Sequence, residues 1–452
     1  MSSDYSNTAE SFLEQQLIMP PVGNYNRNPT IDPQKPLKIL SLFSGCGGMD
    51  LGFEGGFKVP VCCINPKLSK HLIERRHKNG FITVKQTKFS VVFANDILPA
   101  AHKTWTANFC SRNKDPNIFH TGSIVDLVKK HESGIPIFPR NIEVVIGGFP
   151  CQDFSVSGKR GGLKSHRDHR GNLLRSKAPS IESRGQLYLW MKKVIEITQP
   201  NIFVAENVRG LVNLANVRDI IQSDFSSANN GDYLVLPPKI LHAADFGVPQ
   251  SRERVIFIGV KRSALKKKAA EQLALSCLSK EYDPYPEPTY SYSSSGLNLA
   301  APVTLGQMFE GVPEPSDSQD ISHRYYSRAK YMGSHCQGQS EIKLNNIGPT
   351  IRAEHHGNIE FRRLSKQNGG RLLDELGRGF VERRLTPREC ALIQTFPPDF
   401  TFVTPSSTTR QRFYISPSEA YKVIGNAVPP LLAYHLAKRL EEIWDLFFYK
   451  KR

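Results

Sequence analysis

The sequence predicts an α/β fold in which helices cover both faces of a doubly wound, mostly parallel sheet. Short apolar runs that suit buried strands recur along the first half of the chain, at 37–43, 90–94, 144–146, 202–205 and 255–260. Segments with helical character lie between or after these runs, at 49–54, 104–109 and 187–197. Strands that alternate with helices are typical of a parallel sheet, whereas the less regular second half predicts a smaller, irregular domain.

Composition divides the chain into four expected segments. Residues 1–36 are polar and rich in Pro and Asn, which predicts a loosely held tail. Residues 37–284 form the expected main domain, with a basic insertion at 58–90. Residues 285–380 show poor periodicity and many Gly, Arg, His and Asn residues, which predicts the irregular domain. Regular order returns in 381–452, where a helix is predicted over 429–447.

Charge and cysteine usage restrict the class of protein. The 452 residues carry a formal net charge of +17, which favours a polyanionic partner, although a merely basic surface remains an alternative. The eight cysteines form no CxxC pair, so neither a disulfide framework nor a zinc site is expected. The sequence shows no secretory signal and no long apolar segment, and we expect a cytoplasmic protein with reduced thiols that does not enter a membrane.

Two of the apolar runs end in residues suited to chemistry. Cys151 follows Pro150 in a turn directly after the run at 142–146, and open α/β sheets place their chemistry at the carboxyl ends of strands. A buried, inert cysteine is the alternative, but the adjacent proline and the polar residues that follow favour a nucleophile. Glu206 ends the next run with a carboxylate, so two neighbouring strands supply a thiol and an acid.

A glycine-rich turn links the first run to a helix. Gly45, Gly47 and Gly48 permit a ligand to approach the backbone near a helix N-terminus, although a tight packing turn would use the same residues. Asp96 ends the following run and suits a contact with both hydroxyls of a ribose. The same acid could instead cap the next helix.

Basic residues surround the predicted site. The loop from Cys151 to about residue 182 is strongly basic, which favours contact with phosphates. The pair His166-x-x-His169 is a poor metal site, because no carboxylate or thiol completes the ligand set. Arg252 and Arg254 alternate at a strand start and therefore share a face, where they form either a surface salt-bridge edge or a site for an anion or a carbonyl oxygen.

Taken in order, the motifs resemble those of DNA (cytosine-5)-methyltransferases of the bacterial restriction–modification type. The resemblance runs from about residue 37 to residue 440. The matching motifs are Phe43-Ser-Gly-Cys-Gly-Gly48, Asn95-Asp96, Gly147-Gly-Phe-Pro-Cys-Gln152, Arg184-Gly-Gln-Leu187, Glu206-Asn-Val208, Gln250-Ser-Arg-Glu-Arg254, Arg384-Leu-Thr-Pro-Arg-Glu389 with Gln394-Thr-Phe-Pro397, and Gly425-Asn-Ala-Val-Pro429.

The resemblance implies a Rossmann-like fold that binds S-adenosylmethionine, and it assigns roles to the motif residues. Cys151 would add to C6 of cytosine, Glu206 would bind N3 and the exocyclic amine, and Arg254 would hold O2. Arg252 would order the site, and the C-terminal helix would pack back on the first domain. The residues expected to line the cofactor pocket are Phe43, Gly45, Gly47, Gly48, Asp96, Ser123, Ile124, Pro150, Leu187 and Asn426. Ser123 stands where the family often has an acid that binds adenine.

The irregular domain occupies the position of the family's target-recognition region. The stretch 349–353 resembles the Thr-Leu/Ile element found there. The predicted DNA contacts are Gln152, Ser155, Ser157, Thr350, Ile351 and Arg352. The neighbouring side chains His355, His356, Asn358, Arg362 and Arg363 are of types that read base edges, but a solvated polar loop is the alternative for each.

The resemblance implies a monomeric, nucleoid-associated enzyme that methylates C5 of a flipped cytosine within a specific duplex sequence. Such enzymes protect DNA from a paired restriction endonuclease. A tRNA cytosine-5 methyltransferase is one alternative, which the long recognition domain disfavours. A non-catalytic DNA-binding protein on the same fold is another, which the presence of Cys151, Glu206 and the glycine turn disfavours. The insertions at 58–90 and 165–182 receive no role from the resemblance.

Overall fold

An eight-stranded sheet carries Glu206 and Arg254, two of the residues predicted to be catalytic. The computed structural model describes residues 36–150, 169–170, 184–213, 216–293, 298–333, 339–353, 359–407 and 412–449. Its strands are β1 Leu37–Leu42, β2 Lys58–Pro60, β3 Ile73–Arg76, β4 Phe81–Val84, β5 Phe89–Asp96, β6 Phe119–Thr121, β7 Val144–Gly148, β8 Ile202–Val208, β9 Tyr233–Val235, β10 Lys239–His242, β11 Glu253–Lys261, β12 Ser340–Glu341, β13 Glu360–Arg363, β14 Arg383–Arg384, β15 Thr404–Pro405 and β16 Phe413–Ile415.

The helices alternate with these strands in the first half of the chain and dominate its end. They are α1 Gly48–Glu54, α2 Pro99–Phe109, α3 Ile124–Glu132, α4 Leu187–Thr198, α5 Val217–Ser226, α6 Ala228–Gly231, α7 Lys267–Leu273, α8 Leu305–Met308, α9 Ile321–Arg324, α10 Leu373–Gly377, α11 Pro387–Ile393, α12 Pro417–Asn426 and α13 Pro430–Phe447. Each of the predicted strands and helices named above is therefore present, with bounds shifted by a few residues.

The centre of the large sheet is parallel, as predicted. Its strand order is β10-β11-β8-β7-β1-β5-β6, and β9 pairs with β11 outside this path. Strands β8, β7, β1, β5 and β6 run in one direction. The register pairs Leu42 with both Asn95 and Gly147, and Gly148 with Glu206. The carboxyl ends of β1, β5, β7 and β8 therefore lie together along one edge of the sheet.

The last long strand reverses this direction. β11 is antiparallel to β8, with Arg254 opposite Val208. Because of the reversal, the start of β11 and the end of β8 meet at the same edge of the sheet. The arginines before and within β11 therefore face the end of the strand that carries Glu206.

Two hydrophobic cores lie on opposite faces of the sheet, as a doubly wound fold requires. Successive strand residues alternate between them: Ile39 belongs to the first core and Leu40 to the second. The first core receives α1, α2 and α13, and the second receives α3, α4 and α5. Helices α1 and α13 pack so closely that a Cβ atom on Gly52 would lie 2.4 Å from the carbonyl oxygen of Pro430.

The insertion after α1 forms a small antiparallel sheet of its own. Its strand order is β2-β4-β3, and Val59, Ile82 and Val84 bury its inner face in the first core. Since β5 begins at Phe89, the insertion ends at residue 88 rather than at 90.

Buried ion pairs, in addition to apolar residues that join the first core, hold the irregular region together. Arg363 contacts Glu314 and Glu375 at 2.5 Å each, and Arg362 contacts Glu375 at 2.5 Å. Both arginines are buried. The expectation that Arg362 and Arg363 read base edges is wrong, because their guanidinium groups are enclosed and already paired. His355, His356 and Asn358 lie outside the described residues.

Residues 36–452 form one compact unit by their contacts, so the boundaries at 284 and 380 stay predictions. No helix among the described residues combines the length and apolarity needed to cross a membrane.

Candidate active site

The glycine turn after β1 combines close packing at two glycines with open space at a third. A Cβ atom on Gly47 would lie 2.4 Å from the ring of Phe109, and one on Gly48 would lie 2.3 Å from the carbonyl oxygen of Val428, so these two glycines permit close packing. Gly45 has a φ of 56° and open space around the position of a Cβ atom. The backbone of Phe43 also adopts a positive φ, 52°, which is uncommon for a residue with a side chain.

Asp96 connects this turn to the next helix. One carboxylate oxygen accepts a hydrogen bond from the Gly45 N–H at 2.9 Å, and the other accepts from the Leu98 N–H at 2.8 Å, just before α2. Burial raises the pKa of the Asp96 carboxyl, and the backbone hydrogen bonds oppose that rise. Asp96 thus fixes the turn before α2 without capping the helix, because the N-cap residue is Leu98 and no side chain caps it, and the Asp96 side chain also lines the cavity described next.

A single cavity of about 380 Å³ lies at the carboxyl edge of the parallel strands. It joins the glycine turn to the acid and the arginines predicted to be catalytic. The predicted residues that line it are Phe43, Gly45, Asp96, Ser123, Ile124, Pro150, Leu187, Glu206, Arg252, Arg254 and Asn426. Gly47 and Gly48 do not line it, because they pack against the helices behind the turn.

Glu206 and Arg254 form an ion pair inside this cavity. The Arg254 Nε atom lies 2.6 Å from Glu206 Oε1, and both side chains are about 10% exposed. Burial raises the pKa of the Glu206 carboxyl, although the charges of Arg254 and Arg252 act in the opposite direction. Gly148, opposite Glu206 in the sheet, gives the carboxylate its room, since a Cβ atom there would lie 2.6 Å from Oε2.

Arg252 holds three segments of the chain together. Its guanidinium group is buried and donates hydrogen bonds to the carbonyl oxygens of Ile351 at 3.0 Å, Gly425 at 3.0 Å and Ala427 at 2.7 Å. Gly425 at the end of α12 and Ala427 just after it border the cavity, and Ile351 belongs to the predicted recognition element. Of the two alternatives left open by the sequence, the arrangement matches a site for carbonyl oxygens rather than a surface salt-bridge edge.

Near Ser123, the structure shows a contact with His169 at the wall of the cavity that the sequence did not predict. The Ser123 hydroxyl accepts a hydrogen bond from the Val125 N–H, which caps α3, and lies 2.7 Å from His169 Nδ1. The next residue, Arg170, pairs with Asp126 at 3.0 Å. His169 and Arg170 both line the cavity, and so does Lys422. The basic character of the loop was visible in the sequence, but its contact with α3 depends on the fold.

The predicted nucleophile and three of the predicted DNA contacts lie outside the described residues: Cys151, Gln152, Ser155 and Ser157. Pro150, which precedes Cys151 in the sequence, lines the cavity. The carbonyl oxygen of Phe149 accepts a hydrogen bond from Asn207 Nδ2 at 3.1 Å. The end of β7 is thereby fixed beside the end of β8.

The predicted recognition element is attached directly to the active-site strand. The Thr350 hydroxyl donates to the carbonyl oxygen of Ser251, and the Ile351 N–H donates to Gln250 Oε1 at 3.1 Å. The Ile351 side chain is only 2% exposed and packs in the first core. Arg352, by contrast, is exposed, and the DNA contacts of both residues stay predictions.

Within the described part of the chain, no group of three or more His, Cys, Asp or Glu residues is arranged to hold a metal ion.

Comparison with known proteins agrees with this geometry. The model of the family "C-5 cytosine-specific DNA methylase" matches residues 77–442. Type II methyltransferase M.NgoFVII of Neisseria gonorrhoeae is 29% identical over 417 residues, covering 90% of this chain and 87% of the relative. Type II methyltransferase M.BsuRI of Bacillus subtilis is 30% identical over 410 residues, covering 89% of this chain and 78% of the relative.

Solved structures support the fold alone. The methyltransferase EhMeth of Entamoeba histolytica aligns with a TM-score of 0.51 at 15% identity, covering 91% of this chain and 99% of that one. The sequence motifs, the parallel sheet with its cavity and the family match over most of the chain agree, and the chain belongs to the C-5 cytosine-specific DNA methylase family.

Proposed function

We propose that the protein transfers a methyl group from S-adenosylmethionine to C5 of a cytosine in duplex DNA, through a covalent bond between Cys151 and C6. The observation that carries this proposal is the single cavity that joins the glycine turn to the Glu206–Arg254 pair. A methyl group can pass from the donor to the base only if the two molecules bind in the same cavity.

The residues at the glycine-turn end of the cavity fit the cofactor. Gly45 leaves open space next to the backbone, and the Asp96 carboxylate lies beside it. Two carboxylate oxygens suit the two hydroxyl groups of a ribose. The rings and aliphatic groups of Phe43, Ile124 and Leu187 supply apolar surface for an adenine. When bound, S-adenosylmethionine supplies an electrophilic methyl group.

The Glu206 end of the cavity fits a cytosine. C5 of cytosine becomes nucleophilic only after a thiolate adds to C6 and converts C5–C6 into part of an enamine. A carboxyl group that keeps its proton can donate to N3 and stabilise the charge that develops in the ring. Burial of Glu206 raises its pKa and so favours uptake of that proton, whereas the charges of Arg254 and Arg252 oppose it. Arg254, which pairs with Glu206, would donate to O2.

A stacked base cannot reach this cavity, and the proposal therefore includes base flipping. The cavity is formed by the ends of β1, β5, β7 and β8, so its walls are backbone and buried side chains. Enzymes that modify bases at such sites extrude the nucleotide from the duplex.

Covalent trapping tests the proposal. The protein is incubated with cofactor and a duplex library that contains 5-fluorocytosine, from which the C5 substituent cannot be removed as a proton. We expect a protein–DNA adduct that survives denaturation with the wild type and is absent with Cys151→Ser. Cys277→Ser, at an exposed cysteine, is the matched control and should form the adduct normally. If the wild type formed no adduct with any duplex of the library, the mechanism would be refuted.

We also propose that the modification protects DNA from a paired restriction endonuclease. Curated relatives over most of the chain are named Type II methyltransferases. Bisulfite sequencing of DNA from a host that expresses the protein would reveal the modified site, and plasmid from that host should resist an endonuclease that cuts there. Methyl incorporation into tRNA rather than DNA would contradict the proposed substrate.

A further inference from the structure

The insertion at 58–88, here called the basic insertion, holds much of the protein's charge. It contains a single acid, Glu74, and eight Lys or Arg residues: Lys58, Lys67, Lys70, Arg75, Arg76, Lys78, Lys85 and Lys88. It therefore contributes +7 of the formal net charge of +17 of the chain. Neither the fold nor the proposed chemistry accounts for this concentration.

The cations are mounted on a folded platform. The inner residues of the small sheet are buried in the first core, whereas Arg75 and Arg76 on the edge strand β3 are exposed, as is Lys78 in the turn before β4. Lys67, Lys70, Lys85 and Lys88 are exposed as well. A fixed array of cations presents a lasting positive field, because ordering its side chains on a partner costs little backbone entropy.

These exposed cations form no ion pair among the residues that the structure describes. Lys58 alone in the basic insertion pairs with an acid, Asp399, at 2.7 Å. Elsewhere on the surface, cations commonly find acids: Arg209 pairs with Glu253 at 2.7 Å. The positive field of the basic insertion is therefore not neutralised by its neighbours.

The tip of the insertion lies beside the predicted recognition region. The Val61 N–H donates to the carbonyl oxygen of Gly80 at the hairpin turn, at 2.9 Å. The Tyr290 hydroxyl donates to the carbonyl oxygen of Cys62 at 2.8 Å. Tyr290 stands near the start of the region at 285–380, so the hairpin tip and that region are directly joined.

The same tip borders the turn that leads into the active-site strand. The carbonyl oxygen of Cys63 approaches Gly247 so closely that a Cβ atom there would lie 2.1 Å from it. Gly247 precedes Arg252 and Arg254 by a few residues, at the edge of the sheet where β11 begins. The tip of the basic insertion thus lies near the edge of the sheet where β11 begins, whereas the end of the insertion at Lys88 lies beside Leu37 at the start of β1.

We propose that the basic insertion binds the phosphate backbone of duplex DNA beside the target sequence. This inference rests on the proposed function, because it assumes that duplex DNA occupies the cleft. Duplex DNA carries about one negative charge per 1.7 Å of axis, so a row of fixed cations has a complementary partner wherever the duplex leaves the site. A competing explanation is that charges on the edge strand β3 only prevent edge-to-edge pairing.

The salt dependence of DNA binding separates these explanations. In the variant Arg75→Gln, Arg76→Gln, Lys78→Gln, we expect affinity for a 40-base-pair duplex to fall at least tenfold near 150 mM salt. The slope of log K against log salt should become shallower by about 3, since each lost phosphate contact removes about 0.9. The replacement of Arg75 and Arg76 by Lys should restore the slope. An unchanged slope, or a loss of tRNA affinity without a loss of duplex affinity, would overturn the proposal.

A matched control removes the same charge elsewhere. Arg262, Lys267 and Lys268 are exposed and follow the end of β11, where Val260 pairs with Ile202 at the far edge of the sheet. Their replacement by Gln should leave the slope near that of the wild type. At low salt and saturating DNA, the kcat of the insertion variant should equal that of the wild type. A wild type that methylates no DNA would refute the proposed function instead, and the two failures are therefore distinguishable.

Discussion

Gly148 is the residue whose replacement tests the geometry of the cavity most directly. In Gly148→Ala, the new methyl group would lie 2.6 Å from Glu206 Oε2 and force the carboxylate away from Arg254. Misplacement of a reacting group by about 1 Å costs about 100-fold in rate. We expect kcat to fall by at least tenfold while cofactor affinity, measured by calorimetry with S-adenosylhomocysteine, changes little. Gly377→Ala, where a Cβ atom meets open space, is the control and should behave as wild type.

Glu206 predicts the pH dependence of the reaction. Its folded pKa lies above the ordinary value because the carboxyl is buried, so the protonated form persists to higher pH than in an exposed Glu. We expect kcat/KM to fall as pH rises through this raised pKa, as the carboxyl loses the proton it donates to N3. Glu206→Gln should lower kcat/KM and remove that limb of the profile. Glu253→Gln, at the exposed neighbouring acid, should retain it. A limb that survives in Glu206→Gln would assign it to another group.

At the scale of single residues, the sequence indicates candidate site residues but not the residues that they contact. The motifs that contain Cys151, Glu206 and the glycine turn can be identified from their residues and their order along the chain, without a structure. The functions of Arg252 and Ile351 depend on partners about a hundred positions away, so spacing along the chain could not predict them. The environment of Arg362 and Arg363 was likewise not predictable, because the local sequence does not distinguish arginines in a basic surface loop from arginines in a buried ion network.

Ion pairs that Arg363 and Arg383 form with Glu314 stabilise the small sheet that contains strands β13 and β14. Glu314 accepts hydrogen bonds from Arg363 and Arg383. Burial alone would raise its pKa, but these hydrogen bonds outweigh burial and lower the pKa to about 2. The stabilisation is present above the unfolded pKa of Glu, about 4.3, and is lost as pH falls through about 2.

A urea-unfolding series at pH 7, 4.5 and 3 tests this assignment. Glu314→Gln should lower the free energy of unfolding at pH 7 by about 1–3 kcal/mol, because two buried guanidinium groups each lose an acceptor. It should also flatten the decline in stability between pH 4.5 and pH 3. Glu281→Gln, at an exposed acid, should keep both the stability and the slope of the wild type. Parallel declines in Glu314→Gln and the wild type would contradict the network.

Helices and strands were predictable from the sequence where the pattern of apolar residues had only one interpretation. The apolar run at 255–260 predicts a buried strand, but such a run has no direction, so the antiparallel placement of β11 could not be predicted from it. The insertion at 58–88 was visible by its charge, whereas its fold depends on three apolar residues that alternate along short strands and give a weak pattern.

At the scale of the whole molecule, the two ends of the described chain complete one core. α1 follows the first strand and α13 is the last helix of the described residues, yet the two helices pack against each other at Gly52. Twelve of the 18 residues of α13 are buried, and they are spread along its length, among them Leu431, Tyr434 and Phe447. The glycine turn shares this interface, because Gly48 lies against the carbonyl oxygen of Val428 just before α13. Stability and cofactor binding should therefore be coupled.

Gly52→Val tests that coupling. The new side chain would begin 2.4 Å from the Pro430 carbonyl oxygen and 2.5 Å from the Ala433 Cβ atom, and both belong to a helix that cannot yield locally. Overpacking of this kind costs about 3 kcal/mol, and the displaced helix should carry the Val428 segment away from Gly48. We expect a lower urea midpoint together with a weaker affinity for S-adenosylhomocysteine under conditions where the variant is still folded. Gly377→Val, in open space on α10, should change neither quantity. Loss of stability with unchanged cofactor affinity would show that the helix interface and the glycine turn act independently.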